Sequence, residues 1–331
     1  MTYILVDTAN TFFRARHVSG RGTDLDTRIS LAFHILFNSL KKANTMFSGK
    51  HVVFCLEGRS WRKDVYEPYK KNRTVVLDKR SQGEKEEDEI WWEAFEDFCT
   101  YITEQTNASV LRESTAEADD LIALWTQAHP NDKHVIISSD SDFYQLINNN
   151  ISLYNGVANQ VVTVNGFYDE KDKPIIDKKT GLTKMPPDPK WMLFEKCIRG
   201  DSADNVFSAY PKVRKSKLEE AFKDRDNQGF MWNNLMLQRW TDHNGVEHRV
   251  KECYERNQKL IDLTQQPEDV KAKIYQQILE AQNPKHISQV GIRFMKFCSR
   301  YGLTRLSESP TDHAQYLNSG YSSVIKSKVN N

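Results

Sequence analysis

Two aspartates stand one residue apart in the stretch HVIISSDSDFYQL, directly after an apolar run and with no lysine or arginine beside them. They are Asp140 and Asp142. Two other apolar runs also end in an acid, YILVD at Asp7 and HVVFCLE at Glu57. EADD adds Glu117, Asp119 and Asp120, and GDSADN adds Asp201 and Asp204. Each has an ordinary use on its own. Ser114 and Glu117 fit an S-x-x-E capping box, Asp119 and Asp120 suit a first helical turn, Asp140 and Asp142 an Asx-turn, and Asp201 a cap.

Collectively, those uses are insufficient. So many carboxylates at one sheet edge repel one another unless a cation sits among them. Oxygen donors without His or Cys companions select a hard ion, Mg²⁺ with Mn²⁺ as a substitute. The acids are too many for one Mg²⁺, so two ions are expected. A two-metal carboxylate site is a recurring device for phosphodiester chemistry.

The elements that would position these acids follow from the apolar pattern. YILVD, HVVFCLE, the weaker SVLR and HVIISSD read as short buried strands. Helical patterns separate them: Ile29, Ala32, Phe33, Leu36 and Leu40; then Trp91, Phe95, Phe98 and Ile102; then AEADDLIALWTQAH. This alternation predicts an α/β fold with a parallel sheet, whose carboxyl edge is where ligand sites form. After about residue 205 helical patterns dominate, apart from a small hairpin expected around Asn244-Gly245 in RWTDHNGVEHRV. DEKDKPIIDKKTGLTKMPPDP reads as a long surface loop.

Composition sets the class. The chain has 331 residues, 39% hydrophobic and 27% charged, with a formal net charge of +1. These are values of a soluble globular protein, and no apolar run would span a bilayer. YILVD is too short, and reaches Asp7 too soon, to be a signal peptide. The five cysteines are scattered without CxxC spacing and read as reduced thiols of a cytosolic protein. Charge is uneven: RSWRKDVYEPYKKNRTVVLDKR (Arg59–Arg80) is basic with interleaved aromatics, and EKEEDEIWWEAFED after it is acidic. A site that cuts a polyanion needs such cations nearby, and Tyr66 and Tyr69 among them are candidates to stack on bases. GxSxG, Walker A and GxGxxG patterns are missing.

VDTANTFFR, YKKNR, EADDLIA, ISSDSDFYQL and GDSADNV, in this order, make the chain resemble the 5′-nucleases. That group includes flap endonucleases, the 5′-3′ exonuclease domains of bacterial DNA polymerases and, most similar in its motifs, the ribonuclease H of T-even phages. The resemblance implies a PIN-like nuclease domain at residues 1–205 with a helical arch at about 59–105. A smaller helical, helix-hairpin-helix-like DNA-binding domain at 206–331 would follow. It puts the metal acids at Asp7, Glu57, Glu117, Asp119, Asp120, Asp140, Asp142, Asp201 and Asp204. It makes Arg14 a contact to the scissile phosphate and Lys70 the arch lysine, with Arg73 as its helper. DNA contacts are then expected from Arg59, Arg62, Lys63, Tyr69 and Lys71, and from Lys212, Arg214, Lys215 and Lys217 in VFSAYPKVRKSK. That segment lacks the glycines of the family's DNA-gripping hairpin, and Glu57 stands where the family usually has aspartate.

The expected activity is Mg²⁺-dependent removal of RNA primers and 5′ flaps during phage lagging-strand replication, by a monomer in the host cytoplasm. Substrates would be flap DNA or an RNA·DNA hybrid, and replication context suggests a single-stranded DNA-binding protein or sliding clamp as partner. One rival is a weakened, non-cutting DNA-structure binder, against which the retained acids argue. Another is a PIN-type ribonuclease on single strands, which would not need the arch or the helical second half.

Overall fold

The apolar runs that end in acids become neighbouring parallel strands of one sheet. The computed structural model describes residues 1–18 and 24–322. Its seven-stranded sheet consists of β1 (Thr2–Asp7), β2 (His51–Leu56), β3 (Ser109–Arg112), β4 (Lys133–Ile137), β5 (Ile151–Asn155), β6 (Gln160–Thr163) and β7 (Gly166–Asp169). The spatial order is β3-β2-β1-β4-β5-β6-β7. β1 pairs in parallel with β2 on one side and β4 on the other, placing Val6 opposite both Phe54 and Ile137. β3 and β5 extend the parallel set, and β6 and β7 close the edge antiparallel. The central strands are buried along nearly their whole length, which is why they alternate so little in the sequence. β5 to β7 were not foreseen, since ISLYN and QVVT are short and weakly set off from the polar chain around them.

The chain divides into two compact units. The first comprises Met1–Arg59, Ser81–Pro186 and Glu268–Asn331; the second comprises Ser60–Arg80 and Pro187–Pro267. The expected boundary at 205/206 is therefore corrected. The second unit begins earlier and takes in the basic run from Ser60, and the chain from Glu268 onward returns to the first unit. The physical reason is apolar: the helix Val290–Arg300 buries Phe294, Phe297 and Cys298 in the core of the first unit. Phe297 stacks on Tyr101 with ring centroids 4.5 Å apart and meets Phe33 edge-on at 5.2 Å. Phe37, Phe98 and Trp91 complete this aromatic layer against the sheet.

The second unit is mainly helical, with its own core of Phe194, Ile198, Leu218, Ala221, Leu235 and Val250. Its helices include Pro189–Arg199, Lys215–Asp224 and Val250–Ile261. β8 (Arg239–Thr241) and β9 (Glu247–Arg249) form the expected hairpin, with Gly245 in the left-handed region at φ +82. The stretch assigned to an arch becomes three helices, Arg62–Val65 and Lys71–Asp78 in the second unit and Gln82–Gln105 in the first. Ser81 and Glu84 cap the last of these reciprocally. Among the described residues no helix is long and apolar enough to cross a membrane.

The return of the helix Val290–Arg300 to the first core predicts a large penalty for opening it. Phe297→Ala is expected to destabilise the protein by about 3–5 kcal/mol, the range for truncating a buried aromatic. Urea unfolding measures it. A loss within the ordinary range of surface substitutions would contradict this packing.

Candidate active site

The strand order reverses direction between β1 and β4, whose carboxyl ends carry Asp7 and, three residues beyond β4, Asp140. In parallel sheets the crevice at such a point is where ligands bind. Asp7 is 6% exposed and ends β1. The helix Thr8–Val18 starts at the next residue, and its Asn10 N–H lies 3.4 Å from Asp7 Oδ1. Ser138 donates its hydroxyl to Asp7 Oδ2 at 2.8 Å. Burial and then the charge of Glu57 push the Asp7 carboxyl up to about 8, with Asp140 adding to the rise and Ser138 opposing it. A buried carboxylate pressed by two others is a site that a hard cation would relieve.

Glu57 comes to this edge through a tight crossing of two loops. Gly58 N–H donates to Ala116 O and Arg59 N–H to Ser114 O, each at 2.8 Å. A Cβ at Gly58 would lie 2.0 Å from Glu113 O, so only glycine allows the approach. The Glu57 carboxylate then accepts from Ala118 N–H at 3.2 Å, at the N-terminus of the helix Ala118–Ala128. That helix N-terminus favours negative charge. Glu117 is buried there, Asp119 half-buried and Asp120 fully buried. The capping box expected from Ser114 and Glu117 is corrected: Glu117 is itself the N-cap, and Asp120 reaches back to accept from its N–H at 3.2 Å. Serine at 114 is too far upstream because its backbone is held in the loop crossing.

Asp140 is exposed and caps the short helix Ser141–Leu146, its Oδ1 accepting from Asp142 N–H at 2.9 Å. The Asx-turn expected there is present. It engages one oxygen of Asp140 and leaves the other carboxylate oxygen for a further role. Among the described residues no three His, Cys, Asp or Glu side chains already stand as a set around one ion. Asp7 is the buried member of the group, while Glu57 and Asp140 lie at the surface, each accepting from a backbone N–H. The donor set is oxygen only, and it suits Mg²⁺ or Mn²⁺. Arg14 is exposed on the helix that follows β1.

The remaining expected residues belong to the second unit, where the acids have cations of their own. Asp204 accepts from Tyr69 Oη at 3.0 Å and pairs with Arg73 at 2.6 Å and Lys70 at 3.6 Å. Burial alone would raise the Asp201 carboxyl, but Lys196 at 2.9 Å holds it below the usual range. Two DNA-contact assignments are corrected. Arg62 is 1% exposed, its Nε donating to Leu260 O at 2.8 Å and its guanidinium lying over Trp61. Tyr69 is 3% exposed with its hydroxyl on Asp204, so its ring has no free face for a base. Lys63 and Lys71 are exposed, and Lys71 pairs with Glu67. Arg59 is exposed in the first unit. Lys212, Arg214 and Lys215 are exposed around the N-terminus of the helix Lys215–Asp224, and Lys217 lies over the Tyr210 ring. Lys212 takes the left-handed conformation at φ +59 without being glycine.

Sequence reasoning passed over Ser138, Asn10 and Gly58. Its one available signal was the pair of serines directly before Asp140 in ISSD.

The model of the 5′-3′ exonuclease N-terminal resolvase-like domain matches residues 2–178. A flap endonuclease Xni from Psychromonas ingrahamii is 30% identical over 166 residues, covering 49% of this chain and 59% of that protein. A 5′-3′ exonuclease from Mycoplasmopsis pulmonis is 26% identical over 209 residues, covering 62% of this chain and 60% of that protein. The chain thus spans about three fifths of the length of these relatives. The T5 D15 protein co-crystallised with metal ions superposes with a TM-score of 0.59 at 19% identity, over 85% of this chain and 99% of that one. A T5 D15 flap endonuclease complex with DNA and metal ions superposes equally, at the same identity. At this identity the likeness is one of fold.

The raised Asp7 carboxyl has a consequence for stability. The folded state holds the Asp7 proton more tightly than the unfolded chain, so this group's contribution is present at acidic pH and is lost as pH rises toward 8. In EDTA, Asp7→Asn is expected to raise the melting temperature at pH 8 by several degrees, at about 2–4 °C per kcal/mol, and to change it little near pH 4. Thermal unfolding across pH tests this, and an equal effect at both ends would contradict it.

Proposed function

The chain belongs to the family defined by the 5′-3′ exonuclease N-terminal resolvase-like domain, and from that premise we propose that it is a divalent-metal-dependent 5′-nuclease acting on DNA. The observation that carries the reading is the buried Asp7 carboxylate at the β1/β4 crevice, pressed by Glu57 and Asp140. The names of its relatives, flap endonuclease and 5′-3′ exonuclease, agree with it.

In this reading Asp7, Glu57, Glu117, Asp119, Asp140 and Asp142 hold the ions, with Mg²⁺ as the resident metal and Mn²⁺ as its substitute. Bound divalent ions supply Lewis acidity toward the attacking and leaving oxygens of a phosphodiester. Asp120 is spent on the helix cap and supports Glu117 in place of ligating. Arg14, exposed beside this edge, binds the phosphate and offsets its charge.

In the second unit Lys70 and Arg73 share Asp204, a carboxylate that a phosphate oxygen can replace on both cations. Asp201 and Asp204 therefore act here as holders of cations, a role that replaces the ligand role expected of them. Lys212, Arg214 and Lys215 are the duplex-backbone contacts, aided by the helix N-terminus beside them. Removal of RNA primers and 5′ flaps in phage lagging-strand replication rests on the motif resemblance to the phage ribonuclease H.

Labelled 5′-flap DNA, an RNA·DNA hybrid and blunt duplex, each with Mg²⁺ or EDTA, test the reading. Metal-dependent release of short 5′ products is expected. Asp140→Asn should lose more than about 100-fold in cleavage, beyond what an outer-shell change costs, while keeping flap binding in Ca²⁺. Flap binding without any cutting by the wild type would favour the non-cutting binder.

A further inference from the structure

Ser138 follows β4 by one residue and is 3% exposed. Its hydroxyl links the Asp7 carboxylate to the backbone of Asp140 in the β1/β4 crevice. The Asp140 backbone N–H donates to Ser138 Oγ at 3.0 Å, and Ser138 Oγ donates to Asp7 Oδ2 at 2.8 Å. A hydroxyl has one proton and two lone pairs. An N–H can only donate, so it occupies one lone pair and leaves the single Ser138 proton for Asp7. Once Asp7 is ionised, as a bound cation requires, it can only accept and the direction of both bonds is fixed.

A second side chain crosses the same crevice in the opposite sense. Asn10, on the helix after β1, accepts from Ser139 N–H at 3.0 Å and from Ser139 Oγ at 2.9 Å through its one Oδ1. Thr11 adds a bond from its hydroxyl to Ile137 O at 3.3 Å, alongside its bond to Asp7 O at 2.7 Å. The segment Ile137–Asp140 is thus tied to the β1 side at three successive residues before the chain turns into the helix Ser141–Leu146. A purely structural strand end, already paired with β5 through Ser138 N–H to Tyr154 O at 3.2 Å, needs no such set of ties.

We propose that Ser138 is a positioning residue for the metal carboxylates. It pins one oxygen of Asp7 and the backbone of Asp140 together, so that the other Asp7 oxygen and the Asp140 side chain face one ion at a fixed spacing. The inference rests on the reading of Asp7 and Asp140 as ion ligands. Outer-shell partners of this kind govern metal affinity as much as fold stability.

The test is Mn²⁺ binding to the DNA-free full chain, followed by the EPR signal of the free ion, with Asp7→Asn marking which binding belongs to this site. Ser138→Ala is expected to weaken that binding by about 10–100-fold, while Ser138→Thr, which keeps the hydroxyl, stays within about threefold of the wild type. The Mg²⁺ concentration needed for half-maximal flap cleavage should rise in parallel for the alanine variant. Thermal unfolding in EDTA separates a structural role. If Ser138→Ala melts earlier but binds Mn²⁺ as the wild type does, the positioning role is wrong while the nuclease reading stands. Failure of Ser138→Thr to restore binding in a folded protein also overturns it. Should the wild type itself show no Mn²⁺ binding that Asp7→Asn removes, both readings fall together.

Discussion

A carboxylate buried at the end of a central strand is the constraint around which the first unit is arranged. Asp7 has β2 on one side of its strand and β4 on the other, so its side chain leaves the sheet where both neighbours also end. Desolvating an ion at that position is costly unless other groups share its charge. The local answers are the Ser138 hydroxyl and the Asn10 N–H, and they are incomplete: the carboxyl still sits near 8 rather than near 4. The fold tolerates this because the energy of the surrounding core is large. Val6, Phe54 and Ile137, directly beneath, are all essentially inaccessible to water.

The neighbouring loops are shaped by the same requirement. Gly58 lets the turn after β2 pass within bonding distance of the turn after β3, which sets Glu57 against the N-terminus of the helix Ala118–Ala128. That N-terminus gathers Glu57, Glu117 and Asp120 around its free N–H groups, a favourable place for negative charge. Acids therefore accumulate at the edge for two separate reasons. Some are stabilised locally by amides, and others, chiefly Asp7, are held there by the strand register despite the cost.

Much of this was legible in the sequence because it is written in apolar runs and their endings. YILVD, HVVFCLE and HVIISSD specify buried strands and place acids at their carboxyl ends, and parallel pairing then brings those ends to one edge. The two-unit division was not legible. Whether a helix such as Val290–Arg300 packs on the first or second core depends on which aromatic surface it complements, and Phe294 and Phe297 look the same in sequence either way. The basic run was readable as charge but not as burial. Arg62 and Tyr69 are drawn inside by Leu260 O and Asp204, partners almost two hundred and more than a hundred residues away. Ser138 and Asn10 were missed because a serine or asparagine near an aspartate has many ordinary local uses.

The treatment of charge distinguishes the acids more sharply than their positions in the motifs do. Asp24, Asp169, Asp177 and Asp242 are held down by amide, hydroxyl or histidine donors, Glu87 by Arg28 and Arg16, and Asp312 by Lys41. Asp201 is held down by Lys196 in spite of burial. Asp7, unlike these, moves up. A protein under no demand at that position would pair this acid, as it pairs the others, or replace it with an apolar residue at no cost to the core. Buried and hydrogen-bonded yet still raised, Asp7 is the carboxyl at this edge that a hard cation would relieve, which is the premise of the proposed metal site. Asp204 stands in contrast, flanked by Lys70 and Arg73, so that its charge is met by cations of the chain itself.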